Sequence, residues 1–116
     1  GQVTIWNGEM RYQGKIGRDL TVDQGYDAAR MCGLNLIAQV RAACNGDLDR
    51  VKQVVKLGAF VNCVDDFKEH PNVVNGASDL MAEVFDDAGR CTRTNAGVPS
   101  LPLGFAVEID GVFEIE

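Results

Sequence analysis

Between residues 29 and 44 the apolar side chains Ala29, Cys32, Leu36, Ile37, Val40 and Cys44 recur at three- and four-residue spacing. That period places them on one stripe of an α-helix. Ahead of it, Thr21-Val22-Asp23-Gln24 has the pattern of a capping box, with Thr21 accepting from the backbone and Gln24 reaching back to the cap. Asn45-Gly46 supplies a left-handed stop, so the helix runs to about Cys44. A helix with one apolar stripe needs a second layer to cover it, and the rest of the chain must supply that layer.

Two kinds of segment are available. The stretch from Val54 to Val64 is dense in valine, leucine and phenylalanine and reads as a buried strand, after a short turn over Leu48–Val51. A second helical period follows in Val74, Ala77, Leu80, Met81, Val84 and Phe85; His70-Pro71-Asn72 opens this helix, predicted from Asn72 to Phe85, and Gly89 ends the region. The last third reads as two strands, Cys91 to Val98 and Ala106 to Ile115, separated by a Pro99–Gly104 turn whose prolines remove ladder donors. At the other end Asn7-Gly8 is a two-residue hairpin turn, with short strands on either side. Strands, long helix, strand, helix and two strands make an α+β domain with helices on one sheet face. At 116 residues one such domain fits the chain.

Composition excludes several functions. A formal charge of -6 with scattered Lys and Arg argues against nucleic acid, whose binding is driven by phosphate neutralisation from a basic face. The cysteines at 32, 44, 63 and 91 form no Cys-x-x-Cys pair and His70 is the only histidine, so no zinc site is expected. Cys32 and Cys44 read as buried small hydrophobes, and the compartment as reducing and cytoplasmic. No apolar run approaches the roughly 20 residues of a membrane span, and no strand–GxGxxG–helix phosphate cradle is present.

Candidate chemistry gathers in the C-terminal strands. In Val107-Glu108-Ile109-Asp110 the two carboxylates share one face and the two apolar residues the other. They read either as a solvated face or as a seam where one carboxylate positions water or accepts a proton. Arg93 offers a planar fork that matches a carboxylate, and reads either as that clamp, as an exposed surface arginine, or as the partner of a glutamate on an adjacent antiparallel strand. His70, before a proline at a helix entry, reads as a surface or capping residue rather than a base. Ser78 and Ser100 have no identifiable partner.

Several segments together resemble the RidA/YjgF family. They are Arg93-Thr94-x-x-x-Val98-x-x-Leu101-Pro102 followed by Val107-Glu108-Ile109-Asp110, the Gly1-Gln2 pair, Phe67 and the Val74-Asn75 helix start. The Trp6-Asn7-Gly8 hairpin, Ala28-Ala29-Arg30 and the run Asn75–Met81 resemble one branch of that family, often labelled endoribonuclease L-PSP. The resemblance implies a chorismate-mutase-like fold, a mixed sheet with two helices on one face, spanning residues 1–116. It implies a homotrimer with sites in the clefts between subunits, where Arg93 clamps a substrate carboxylate and Glu108 holds the hydrolytic water. Gly1, Gln2, Asn75 and Asn95 fall near that pocket, although Asn95 stands where many active members carry cysteine. The family's N-terminal strand pair and the serine before Gly1 are absent, so the chain is expected to be truncated at that end. The implied activity is hydrolysis of imines or enamines of the 2-aminoacrylate type, with no cofactor. The alternatives are a non-catalytic trimer that binds small carboxylates, and an endoribonuclease.

Overall fold

The computed structural model describes residues 1–116. Its elements, in chain order, are β1 (Ile5–Trp6), β2 (Glu9–Met10), α1 (Val22–Ala43), β3 (Val51–Asn62), α2 (His70–Phe85), β4 (Thr92–Val98) and β5 (Val107–Ile115). Single 3-10 turns at Leu48–Arg50, Asp86–Gly89 and Pro102–Gly104 connect them.

α1 begins where the capping box places it. Thr21 Oγ1 accepts from Gln24 N at 3.1 Å, and Thr21 N donates to Gln24 Oε1 at 2.8 Å. The helix closes into Asn45 and Gly46, both at positive φ. Its stripe is buried from Gly25 through Ala28, Ala29, Cys32, Gly33, Leu36 and Ile37 to Val40. α2 starts at His70, two residues earlier than the sequence pattern indicates. Pro71 sits in its first turn, where a missing N–H leaves no bond unmade. Beyond the buried seam, Tyr26 Oη donates to Asp79 Oδ2 at 2.7 Å, and Arg30 donates to Glu83 Oε2 at 2.9 Å.

The sheet runs β4-β3-β5, with β4 parallel and β5 antiparallel to the central β3. β3 starts at Val51 rather than Val54. Register shifts between Val51 and Gln53 and between Val54 and Lys56 break the alternation that a sequence reading depends on. It ends at Asn62 rather than Val64, because residues 62–64 turn their backbone to Ile16: Ile16 N donates to Asn62 O at 2.9 Å and Val64 N to Ile16 O at 3.2 Å. The N-terminus extends the sheet on the far side of β5. Gln2 N donates to Ile109 O at 2.7 Å, and Ile109 N to Gln2 O at 3.0 Å.

Both helices cover one face of this sheet. Leu57, Ala59 and Val61 of β3, and Val107 and Ile109 of β5, point into that layer and join Ile16, Val73, Val74, Ala77, Leu80 and Met81 in one core. The reverse face carries Lys56 and Phe60 of β3, Thr94 and Ala96 of β4, and Glu108, Asp110 and Val112 of β5, with no layer of this chain over it. The fold is therefore the expected α+β mixed sheet with two helices on one side. No helix is long and apolar enough to cross a membrane.

Candidate active site

Arg93 stands opposite Leu57 in the parallel β3–β4 ladder, so it projects toward the helices. There its Nη1 donates to Ser78 Oγ of α2 at 2.8 Å. Asn95 stands opposite Ala59, on the same face and two residues further along. Asn75 lies one helical turn before Ser78 on α2, so the two share a side of the helix. Arg93, Asn95, Asn75 and Ser78 are all half-buried, and they line the seam between the β4 edge and α2. Arg93 forms no ion pair within the chain. With one donor held by Ser78, the rest of its guanidinium fork is available to a planar anion.

Glu108 is placed elsewhere. It stands opposite Phe60, on the uncovered face, with Asp110 two residues on beside Gly58. Val107 and Ile109 are fully buried on the other face, so the alternation expected for this strand holds. Gly1 packs over Glu108 so closely that a Cβ there would come within 3.2 Å of Oε2. Gln2 is tied to Ile109 by both backbone bonds. The predicted site residues thus fall into two groups. Arg93, Asn95 and Asn75 occupy the helix side of β4, whereas Glu108, Gly1 and Gln2 occupy the far edge of the sheet.

The structure corrects three sequence expectations here. β4 and β5 are not neighbours, because β3 lies between them; an Arg93–Glu108 salt bridge across adjacent strands is therefore ruled out. The two residues sit two strands and three residues apart, which is about 14 Å between Cα atoms, and they face opposite ways. Ser78 does have a partner, the guanidinium of Arg93. Its position three residues after Asn75 was the available sequence signal. His70 is neither an exposed surface residue nor a side-chain cap: it is half-buried, with Nε2 3.5 Å from Cys63 Sγ and its ring edge-on to Phe67 at 5.1 Å between centroids.

No group of three or more His, Cys, Asp or Glu residues is placed to hold a metal ion. The cysteines are free. Burial pushes the Cys32 thiol up to about 12, with the Glu108 charge acting in the same direction. Cys91, beside Arg93 in sequence, is raised by burial against the opposing pull of that guanidinium. Neither thiol is poised as a nucleophile.

The sequence model of the YjgF/chorismate mutase-like family, which carries an endoribonuclease label, matches residues 1–111. The chain belongs to this family. Protein TCP17 of Trypanosoma cruzi is 50% identical over 103 residues, a match covering 88% of this chain and 64% of that protein. The chain therefore spans just under two thirds of that relative's length. Among solved structures, protein Atu1372 of Agrobacterium tumefaciens, described as of unknown function, superposes with a TM-score of 0.98 at 43% identity, over all of this chain and 74% of that one. TdcF of E. coli, solved with bound serine, superposes with a TM-score of 0.57 at 20% identity, over all of this chain and 76% of that one, and so shares the fold. The sheet that carries Arg93 and Glu108 is thus of the YjgF type.

Proposed function

We propose that the protein hydrolyses reactive imines and enamines of the 2-aminoacrylate type to 2-keto acids and ammonia, with the substrate carboxylate held by Arg93. The observation that carries this reading is Arg93 itself, a half-buried guanidinium steadied by Ser78 and left without a carboxylate partner. A cation kept partly out of water and unpaired is a ready receptor for a small carboxylate. The serine bound to TdcF carries such a group and supports the same class of ligand on this fold.

In the proposed reaction the imino acid docks its carboxylate on Arg93, which fixes the imine carbon. Glu108 orients a water and takes its proton as the oxygen attacks that carbon. Glu108 returns that proton to the nitrogen to give a carbinolamine, whose hydroxyl proton follows to nitrogen as C=O forms and ammonia leaves. An imine is already electrophilic, so orientation and charge stabilisation suffice and no cofactor is needed.

One chain keeps the two residues on opposite sheet faces, so the proposed site draws Arg93 from one subunit and Glu108 from the next. The proposed assembly is a homotrimer with its sites in the clefts between subunits. Phe60 and Val112, 43% and 55% exposed on the uncovered face, give it apolar surface to bury. The endoribonuclease label of the family favours a second reading, cleavage of RNA. The charge of -6 and the single histidine weigh against it.

The test is ammonia release from freshly generated 2-aminoacrylate, with the wild-type protein against Arg93→Ala. Acceleration by the wild type and none by the variant is expected. An equal rate from both would remove Arg93 from the reaction, and RNA cleavage without imine hydrolysis would favour the second reading.

A further inference from the structure

A cavity of about 540 Å³ opens at the C-terminal ends of β3 and β4, where Gly97 follows Asn95 on the helix side of β4. Cys63, Phe67, His70, Gly97 and Val98 form its wall, and Asp65 lies at its mouth. Its size suits a small molecule. At its base Cys63 Sγ lies 3.5 Å from His70 Nε2. We propose that Cys63 and His70 form a nucleophile–base pair that adds the thiol to a small α,β-unsaturated carbonyl compound bound in this cavity.

Three elements build the pair. Cys63 follows the last residue of β3, held by a backbone bond from its N–H to Val98 O and by the Ile16 bridge. His70 opens α2, with its ring braced edge-on by Phe67. Gly97 of β4 makes the approach possible. A Cβ at this position would lie 2.5 Å from His70 Nε2 and 2.8 Å from Cys63 Sγ, so any side chain there would separate them. A glycine inside a strand commonly marks such a close approach. Lys15 supplies a cation at the rim, where its Nζ donates to Asn62 Oδ1 at 3.0 Å and to the carbonyls of Cys63 and Pro99.

The surroundings favour this chemistry over its competitors. Burial pushes the Cys63 thiol up from its ordinary value, against the pull of the Lys15 ammonium. The resting group is therefore a neutral S–H, which needs a base at the moment of attack. With its proton on Nδ1, His70 accepts the thiol proton at Nε2. The sulfur lone pair forms a C–S bond to the β-carbon, the C=C electrons move to the carbonyl as an enolate, and Nε2 returns the proton to the α-carbon. Thiol and alkene combine, nothing leaves and nothing is oxidised, so one residue serves as both base and acid. Exchange with a disulfide would instead expel a thiolate, next to which Asp65 places a negative charge.

The probe is N-ethylmaleimide, an activated alkene of this class, applied to the native protein with labelling followed cysteine by cysteine by peptide mass mapping. Cys91, half-buried and outside the cavity, serves as internal reference. Cys63 should label faster than Cys91. In His70→Ala its rate should fall about a hundredfold, within the range of a positioned base, while the Cys91 rate holds and so reports an intact fold. In His70→Gln, labelling of Cys63 should recover only at alkaline pH, where the thiol ionises without help. Preferential labelling of Cys91, or an unchanged Cys63 rate in both His70 variants, would overturn the proposal. None of these residues belongs to the Arg93 site, so imine hydrolysis should persist in Cys63→Ser.

Discussion

Replacing Gly76 with alanine should destabilise the protein, although intrinsic helix preference points the other way. Gly76 lies in the middle of α2, where alanine is better by about 1 kcal/mol. The structure sets a larger cost against this gain. A Cβ at Gly76 would lie 2.0 Å from the carbonyl oxygen of Tyr26 and 3.0 Å from the amide nitrogen of Arg30, both backbone atoms of α1. Backbone cannot swing aside as a side chain does. The two helices must separate by more than an ångström, which loosens the contacts of Ala29, Ala77 and Leu80 beneath them. Overpacking typically costs 1–3 kcal/mol, and a clash with rigid backbone belongs at the upper end, about 3 kcal/mol. The net loss is then about 2 kcal/mol, or roughly 10 °C in Tm for a domain of this size. Thermal unfolding followed by circular dichroism reads this directly. An unchanged or raised Tm would show that α1 and α2 do not cross at Gly76, and the packing described for the helix layer would be wrong.

Three further outcomes follow from other parts of the structure. Thr21→Ala removes half of the capping box and should cost about 1 kcal/mol, a few degrees in Tm; no change would mean that the box forms without holding the helix. Ser78→Ala should weaken binding of a small carboxylate such as pyruvate while leaving the Tm near wild type, since it loosens Arg93 without emptying the core; equal affinity by calorimetry would make Ser78 a bystander. Arg30, through its hydrogen bond, holds the Glu83 carboxyl below its ordinary value. A carboxyl lowered by folding contributes stability above its unfolded pKa and loses it as pH falls through the folded one. Glu83→Gln should therefore remove part of the acid-side loss of stability, an effect that salt erodes because the pair is exposed; an identical acid profile in the variant would contradict it.

How much of this was legible in the sequence depended on how local its cause was. Thr21 and Gln24 act on each other within one turn, and the α1 stripe repeats for about four turns, so both could be read directly. The final strand alternates cleanly, so the opposite faces of Glu108 and Ile109 were legible too. The start of β3 is not legible, because bulges near Val51 and Val54 interrupt the alternation. The pairing order was hidden for a different reason. Nothing local in β4 or β5 records that each pairs with β3 and not with the other, yet that fact keeps Arg93 and Glu108 two strands apart. The contacts of Ser78 and His70 leave no local signal, because their partners, Arg93 and Cys63, come from other elements.

In the proposed site the carboxylate clamp and the water-holding glutamate come from different chains. Mixing two inactive variants tests it most directly. Arg93→Ala and Glu108→Gln proteins are unfolded together, refolded and assayed for ammonia release from 2-aminoacrylate. If a site takes Arg93 from one chain and Glu108 from its neighbour, mixed assemblies contain some sites with both residues intact, and activity returns to a fraction of wild type. If both residues act from the same chain, every site in the mixture lacks one of them; activity then stays at the level of the separate variants, and a site shared between subunits is refuted.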